Sequence, residues 1–232
     1  MLTLKDIKLD FDKYFSPYNP SIMKDALSII KDRSTLIELL ESIYSDETAL
    51  AMIAEKSYVH RNGFDKLVLL ASSKPEFRLR IHIWWPNSDE ISDMHIHNHK
   101  WDFRSKIIEG KYRHQEYIIN DDGEKWRQYI CHSILHKKGH QMEFQGIHRL
   151  QCVSDAILVK DCEYTLDHRV LHKVSVAAHS RLTSTIILQS PVLQSSTNVY
   201  SLEVLDKSLT QPRLCNTDEV KFKIKKYLDM IS

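Results

Sequence analysis

Glycine and paired cysteines are what this sequence has little of. Only 5 glycines occur in 232 residues, so a glycine-rich loop that would bind a nucleotide is absent. The 4 cysteines form no Cys-x-x-Cys pair. They are Cys131, Cys152, Cys162 and Cys215. We therefore expect them to be reduced and mostly buried, as in a cytoplasmic protein.

An excess of charge and a long apolar run are also missing. The 32 basic residues balance 31 acidic ones, so we expect neither a nucleic-acid nor a membrane partner. No apolar run approaches the roughly 20 residues of a membrane span. The N-terminal stretch MLTLKDIKLDFDKYF has early acidic residues and no apolar segment, so we expect no secretory signal.

The apolar content, 42% of 232 residues, suits one domain with helical additions. Residues 1–63 are predicted to form a helical segment packed on a larger unit, with helices in SIMKDALSIIKD, TLIELLESIY and DETALAMIAEKS. Thr35 and Glu38 have the spacing of a capping box. Residues 201–232 form a tail whose TDEVKFKIKKYLDMI stretch predicts a helix, with Thr217 as its N-cap.

Between these segments, residues 64–200 show the period of two that is typical of strands. Short strand-like runs include KLVLLAS, FRLRIHIWW, KWRQYICHSIL and TSTIILQS. Turn signals stand at Asn87-Ser88, at Asp121-Asp122-Gly123 and at Gly139. Many short strands at this spacing predict an antiparallel sandwich or barrel that forms one structural unit with its helices.

The most unusual stretch is HIHNHKWDFRS, which begins at His95. In an extended segment His95, His97 and His99 share one face, and neutral imidazole is the commonest metal-binding side chain. A third ligand from a distant strand would be His172 in LHKVSV. Such a set leaves coordination positions open for a substrate or dioxygen.

These motifs resemble those of the cupins, and among cupins they are similar to thiol dioxygenases of the cysteine dioxygenase type. The stretches that carry the resemblance are FRLRIHIWWPNSDEISDMHIHNHKWDFRSKIIEGKYRHQEY and LHKVSVAAHSRLTSTIILQSP, within residues 64–191. The resemblance implies a mainly β, cupin-type double-stranded antiparallel β-barrel (jelly roll) with N-terminal helices and a C-terminal helix. It also implies one Fe(II) ion held by His97, His99 and His172, with Zn, Mn or Ni as other possible ions.

Several alternatives for the ligand set stay open. His95 and His97 form the other register of the pair, which would leave His99 facing the substrate. His168 is the next choice if His172 does not bind the ion. His114 and Glu116 share one face of the following strand and could approach the metal.

The sequence departs from the thiol dioxygenase pattern in the strand after the third ligand. Where the family has serine, histidine and tyrosine on alternate positions, this chain has Thr185, Ile187 and Gln189. The family's carboxylate-binding arginine has only an approximate counterpart in Lys66. We therefore do not expect cysteine to be the substrate.

The remaining pocket residues follow from strand alternation. In FRLRIHIWW, Arg80, His82 and Trp84 share one face, which by resemblance lines the barrel interior. Arg80 would then bind an anionic group, or it would pair with a buried acid such as Asp102 or Glu116. Other histidines fall in a middle stretch that we expect to be rich in loops, with surface or structural roles. They are His132, His136, His140 and His148.

These observations lead to one leading hypothesis and two others. The first is a mononuclear non-haem iron oxygenase that acts with dioxygen on a small anionic molecule, as a monomer or homodimer. Arg80 and Lys66 would position the substrate, His82 and Trp84 would contact it, and Thr185 and Gln189 would form a polar wall. The others are a metal-dependent isomerase or lyase, in which the ion polarises a carbonyl, and a non-enzymatic ligand-binding cupin.

Overall fold

The computed structural model describes most of the chain. The described residues are 2–15, 19, 23–30, 32–60, 63–86, 95–134, 139–176, 181–206, 208 and 211–232. The predicted turn at Asn87-Ser88 and the predicted surface residue His136 lie outside the described residues.

Five α-helices lie near the two ends of the described chain. They are α1 (Leu4–Tyr14), α2 (Met23–Ala26), α3 (Arg33–Tyr44), α4 (Glu47–Ala54) and α5 (Thr217–Ile231). A 3-10 turn at Leu27–Ile29 follows α2, so that helix is shorter than predicted. Two predicted N-caps are wrong, because an earlier side chain accepts the free amide: Asp32 accepts that of Thr35, and Asn216 accepts that of Glu219.

Within the described residues, eleven strands form two antiparallel sheets. The strands are β1 (Tyr58–His60), β2 (Phe64–Ser73), β3 (Glu76–Trp84), β4 (Ile96–His97), β5 (Phe103–Glu109), β6 (Lys111–Ile134), β7 (Gly139–Val159), β8 (Glu163–Leu166), β9 (Leu171–Ser175), β10 (Thr183–Gln189) and β11 (Ser196–Ser201). One sheet has the order β1-β2-β3-β10-β5-β8, and the other has the order β11-β4-β9-β6-β7. The predicted fold class, a mainly β jelly roll of two antiparallel sheets with helices at its ends, is confirmed.

The six-stranded sheet separates an apolar core from the interior of the barrel. Along β3, Leu79, Ile81 and Ile83 are fully buried in one cluster with the helices. The same cluster contains Val220, Ile224, Leu228 and Ile231, which recur at helical spacing along α5. The alternate residues of β3 therefore point toward the second sheet, as the period of two predicts.

The middle of the chain was predicted to be rich in loops, but the structure has two long strands there. Strands β6 and β7 pair from Lys111↔Val159 to Ile134↔Gly139 as one long ribbon. The predicted turn at Asp121-Asp122-Gly123 lies inside β6, where Ile119 and Glu124 both stand opposite Leu150. The intervening residues form an irregularity within a continuous strand, because the ladder resumes on the far side. His132, His140 and His148 accordingly lie on strands.

The prediction that the four cysteines are mostly buried is wrong. Only Cys215 is buried, whereas Cys152 is exposed and Cys131 and Cys162 are partly exposed. Cys131 and Cys152 lie on the ribbon, whose side chains face solvent over much of its length.

Among the described helices, none has the length and apolar character needed to cross a bilayer.

Gly110 joins β5 to β6 and provides a test of this packing. Its φ is +74°, and a Cβ there would lie 2.4 Å from the carbonyl oxygen of Leu182 and 2.5 Å from Oγ1 of Thr183. We expect Gly110→Ala to lower the free energy of unfolding by about 2 kcal/mol or more, and the melting temperature by about 4–8 °C. Thermal denaturation followed by circular dichroism measures the change.

Gly146→Ala is the matched control. Its φ of +148° is also positive, but the nearest atom to an added Cβ is Nε2 of His148 at 3.9 Å. The control should lose less stability because only backbone strain is added. Equal losses in the two variants would contradict the close approach at Gly110.

Candidate metal centre

A cavity of about 620 Å³ lies between the two sheets. Its walls come from the inner face of the six-stranded sheet and from β4, β6, β9 and β11 of the other sheet. Three histidines from the predicted set, His97, His99 and His172, line this cavity. The barrel therefore brings the two histidine motifs to one place.

The three imidazoles converge through strand pairing. His97 on β4 stands directly opposite His172 on β9, and His99 follows two residues later. Each residue offers one ring nitrogen, and the three atoms all lie within 4.8 Å of one another. Nε2 of His99 is 2.8 Å from Nε2 of His172. This arrangement is a candidate three-nitrogen metal site.

The hydrogen bond of His97 fixes which nitrogen is free to bind a metal. Nδ1 of His97 lies 3.1 Å from the backbone carbonyl oxygen of His95. A carbonyl oxygen only accepts, so Nδ1 carries the proton and Nε2 keeps its lone pair. His95 lines the cavity but is not part of the converging cluster. The backbone carbonyl oxygen of His95 accepts from the candidate ligand His97.

His172 is oriented by a second pair of side chains. Its Nδ1 lies 3.3 Å from Nε2 of His114, whose own Nδ1 is 3.9 Å from Oε1 of Glu116. Burial lowers the pKa of His114 to about 4, so this ring is neutral at neutral pH. When Nε2 of His172 binds a metal, its Nδ1 must hold the proton and donate it to His114. His114 and Glu116 thus lie behind His172 and fix its tautomer.

The chemistry of the donor set fits a divalent transition metal. Burial lowers the pKa of His99 and His172 well below the ordinary value, with a further contribution from neighbouring histidines. Both rings are therefore neutral near pH 7, as ligands must be. Nitrogens about 2.1 Å from an ion and at right angles to each other are about 3.0 Å apart, close to the 2.8 Å separation. Iron, zinc and nickel all accept imidazole ligands.

His168, the alternative third ligand, has a different partner. Both its backbone amide and its Nδ1 lie 2.8 Å from Oδ1 of Asp102. Its carbonyl oxygen accepts the amide of His99 at 3.2 Å. The amide of Ser190 donates to the carbonyl oxygen of Asp102 at 2.9 Å. Asp102 and His168 therefore tie the segment that carries His99 to the loop before β9 and to the end of β10.

Some of the remaining predicted residues line the cavity, and others do not. Glu116 does not line it, and Gln189 is fully buried yet also lies outside its lining. Asp102 pairs with His168 and Glu116 lies near His114, so neither acid pairs with Arg80. The predicted residues that do line the cavity are Lys66, Arg80, His82, Trp84, His95 and Thr185.

An aromatic wall at the edge of the six-stranded sheet was not predicted. The rings of His60 and Phe64 stack at 4.4 Å, and the ring of Phe64 lies 4.4 Å from that of His82. Tyr58 and His60 belong to β1, which precedes the predicted start of the barrel at residue 64. The alternation in YVH is typical of a strand, but a run of three residues is too short for a period of two to be recognised.

Comparison with known proteins gives the following. No family model matches the sequence, and no curated protein matches it. Ectoine synthase from P. lautus is 11% identical over 73% of this chain and 92% of its own, with a TM-score of 0.34. A cupin-2 domain from Rhodospirillum rubrum is 10% identical over 73% of this chain and 80% of its own, with a TM-score of 0.31.

Other similar structures are matched over about half of their length. Hydroxypropylphosphonic acid epoxidase from S. wedmorenis is 11% identical over 54% of this chain and 50% of its own, with a TM-score of 0.32. The structure of the DMSP lyases is 11% identical over 55% of this chain and 47% of its own, with a TM-score of 0.31. Because these TM-scores lie between 0.31 and 0.34, the similarities carry no argument about the fold, which is established by the chain's own strand order and register.

Substitution of the three converging histidines tests the candidate site. We expect His97→Ala, His99→Ala and His172→Ala each to abolish stoichiometric binding of a divalent metal, because each removes one of three donors. Elemental analysis of the purified, metal-loaded proteins measures the ratio of metal to chain.

Two variants serve as controls for this experiment. His132→Ala changes a histidine that pairs with Glu143 on the exposed ribbon, and it should keep the metal. His95→Ala should also keep it, because His95 supports His97 through its backbone. If His95→Ala loses the metal while His99→Ala retains it, the binding pair is His95 and His97. If His172→Ala retains it, the third ligand is wrong.

A further prediction concerns the support behind His172. We expect His114→Phe to weaken metal binding by about tenfold to a hundredfold while leaving one ion per chain at saturation. Glu116→Gln should weaken it less, because it acts only through His114. Competition with a chelating dye measures both affinities. An unchanged affinity in His114→Phe would show that His172 does not depend on this neighbour.

Proposed function

We propose that this protein is a mononuclear non-haem iron oxygenase of cupin type that acts on a small anionic substrate with dioxygen. The observation that supports this most directly is the convergence of His97, His99 and His172 inside a cavity that also contains Lys66 and Arg80. Three imidazole donors leave about half of an octahedral coordination sphere open. A substrate and dioxygen can occupy those positions together.

The chain's own residues have separable roles in this proposal. His97, His99 and His172 hold the ion, and the ion supplies the activation of dioxygen when it is bound. Arg80 and Lys66 bind the substrate's anionic group and so orient its reactive end toward the histidines. Trp84 and the neighbouring aromatic rings limit the access of water to the substrate. Thr185 contributes a hydroxyl group to the same wall.

The proposed substrate is not cysteine. Thr185 and Ile187 line the cavity at positions where the resembling thiol dioxygenases have hydrogen-bonding side chains. Ile187 is an apolar residue that cannot orient a thiol or dioxygen by a hydrogen bond. Gln189 lies outside the cavity lining, so it does not replace the tyrosine. An anionic substrate that has no thiol, such as a carboxylate, agrees better with Thr185 and Ile187 in the cavity lining.

A second candidate function follows from the donor set itself. Three imidazoles without a carboxylate also suit zinc, which acts as a Lewis acid without redox chemistry. In that case the same cavity would polarise a carbonyl group of an anionic substrate, as in a metal-dependent isomerase or lyase. The two candidates differ in whether turnover consumes dioxygen.

Oxygen consumption distinguishes these proposals. The iron-loaded protein is assayed with cysteine, 3-mercaptopropionate and cysteamine, and with a panel of carboxylates and phosphonates that lack a thiol. We expect the thiols to react slowly and a thiol-free anion to react faster. His172→Ala, loaded in the same way, provides the background rate.

Two results would contradict this. Turnover of cysteine with kcat/KM near 10⁴ M⁻¹s⁻¹ or above, roughly the lower edge of ordinary enzyme efficiency, would make the protein a cysteine dioxygenase. Conversion of an anionic substrate without oxygen uptake would favour the isomerase or lyase.

A further inference from the structure

Two cationic side chains line the cavity without a described counter-ion: Arg80, which is buried, and Lys66, which is partly exposed. Arg80 is only 3% exposed, and its guanidinium lies against the ring of Trp101, 5.3 Å from the centroid. Nζ of Lys66 is bonded to the hydroxyl of Tyr58 at 2.9 Å. Among the described residues, no carboxylate lies within ion-pair distance of Lys66 or Arg80. Such charges are costly in a folded chain unless something else neutralises them.

Polar atoms around these two cations are also without partners. Among the described residues, none bonds Nε of Arg80, Nε2 of His82 or Oγ1 of Thr185, although all three atoms are buried. Nε1 of Trp101 is buried and unbonded in the same way. Buried polar groups are normally paired, so several unpaired ones in one cavity indicate a missing ligand.

Strand register brings these side chains together. Across the sheet, His82 stands opposite Lys66 on one side and opposite Thr185 on the other. Arg80 lies two residues from His82 and so shares its face. The row spans two strand spacings, about 10 Å, and every group in it can donate a hydrogen bond. A ligand that fits this row must be rich in acceptors.

The charge around the row sets the charge of that ligand. Burial, with a further contribution from Arg80, lowers the pKa of Lys66 well below its ordinary value. Burial lowers that of Arg80 to about 10. Burial without a neighbouring anion lowers the pKa of both cations. An anion beside them would raise both pKa values again. The three histidines add no negative charge, so a divalent ion there would make the cavity still more positive. A singly charged carboxylate leaves one of the two cations uncompensated.

We propose that Lys66, Arg80, His82 and Thr185 form a binding site for a doubly charged phosphoryl or phosphonyl group of the substrate. Such a group has three oxygens on one atom, and these accept from several converging donors at once. A carboxylate offers two oxygens and one charge. The assignment depends on the proposed function only in placing the substrate's reactive end at the histidines.

Calorimetric titration with methyl phosphate tests this site, with acetate and malonate as comparison ligands. The protein is used as purified and again after chelation of its metal. We expect methyl phosphate to bind about tenfold more tightly than either acid, and to remain bound after chelation with only the moderate loss of affinity that removal of the metal's charge causes. Loss of binding on chelation would show that the anion binds the metal instead. Tighter binding of malonate would assign the row to a dicarboxylate and overturn the phosphoryl group.

Variants on one strand give a matched comparison. Arg80→Met should weaken methyl phosphate binding by about tenfold or more, whereas Arg78→Met should leave it within about twofold. Arg78 lies on the same strand, but it is exposed and does not line the cavity. Lys66→Met provides a second variant with the same expected loss if Arg80→Met does not fold.

The stability of the ligand-free variants provides an independent readout. Replacing an uncompensated buried cation by an apolar side chain should raise the melting temperature by about 2 °C or more for Arg80→Met, but not for Arg78→Met. A lower melting temperature in Arg80→Met, together with unchanged anion binding, would mean that Arg80 is a structural residue. Because neither measurement uses oxygen or turnover, failure of the oxygenase proposal would leave this site testable, and the reverse also holds.

Discussion

The cavity depends on β3 having two unlike faces held in register between β2 and β10. Leu79, Ile81 and Ile83 are fully buried beneath the helices, and each contributes about 1.5–3 kcal/mol of burial. Because side chains alternate along a strand, this burial forces Arg80 and His82 toward the second sheet. A slip of one residue would exchange the two sets, so the apolar core under the helices also holds the polar row in place. The terminal helices therefore matter to the site even though the described ones do not line it.

The convergence of the histidines depends on a different constraint, the connection between the two sheets. His97 and His172 meet through strand pairing, but His99 lies beyond the end of β4. Asp102 and His168 hold that segment against the loop before β9 and the end of β10. A buried carboxylate with two donors on one oxygen is a rigid link. It explains why this acid, although it lies close to the candidate metal ligands, pairs with His168 and not with Arg80.

The electrostatic character of the cavity follows from these two constraints together. One sheet supplies two cations and several unbonded polar atoms, and the opposite wall supplies three imidazoles. Burial favours the uncharged form of His99 and His172, which prepares these rings for a metal. The same burial makes unpaired cations unfavourable, which prepares the opposite wall for an anion. A ligand that joins the two walls would have its charge at one end and its reactive group at the other.

Much of this architecture could be predicted from local pattern. The period of two marked β2, β3 and β10, and the alternation in FRLRIHIWW separated the core face from the cavity face before any contact was known. Apolar residues recur at helical spacing in TDEVKFKIKKYLDMI, and they form the buried face of α5. The errors in the caps at Asp32 and Asn216 are of one to three residues, because several neighbouring side chains can accept the same free amides.

The amino-acid sequence by itself determined the strand-rich class, the polar face of β3 and the histidines available to a metal, because these depend on local spacing. Only the tertiary structure decided the rest. It formed the continuous β6–β7 ribbon in a stretch predicted to be rich in loops, placed His114 behind His172, and bonded Asp102 to His168 rather than to Arg80. The last two contacts join residues 58 and 66 positions apart, and pairing over such distances is set by the closure of the whole barrel.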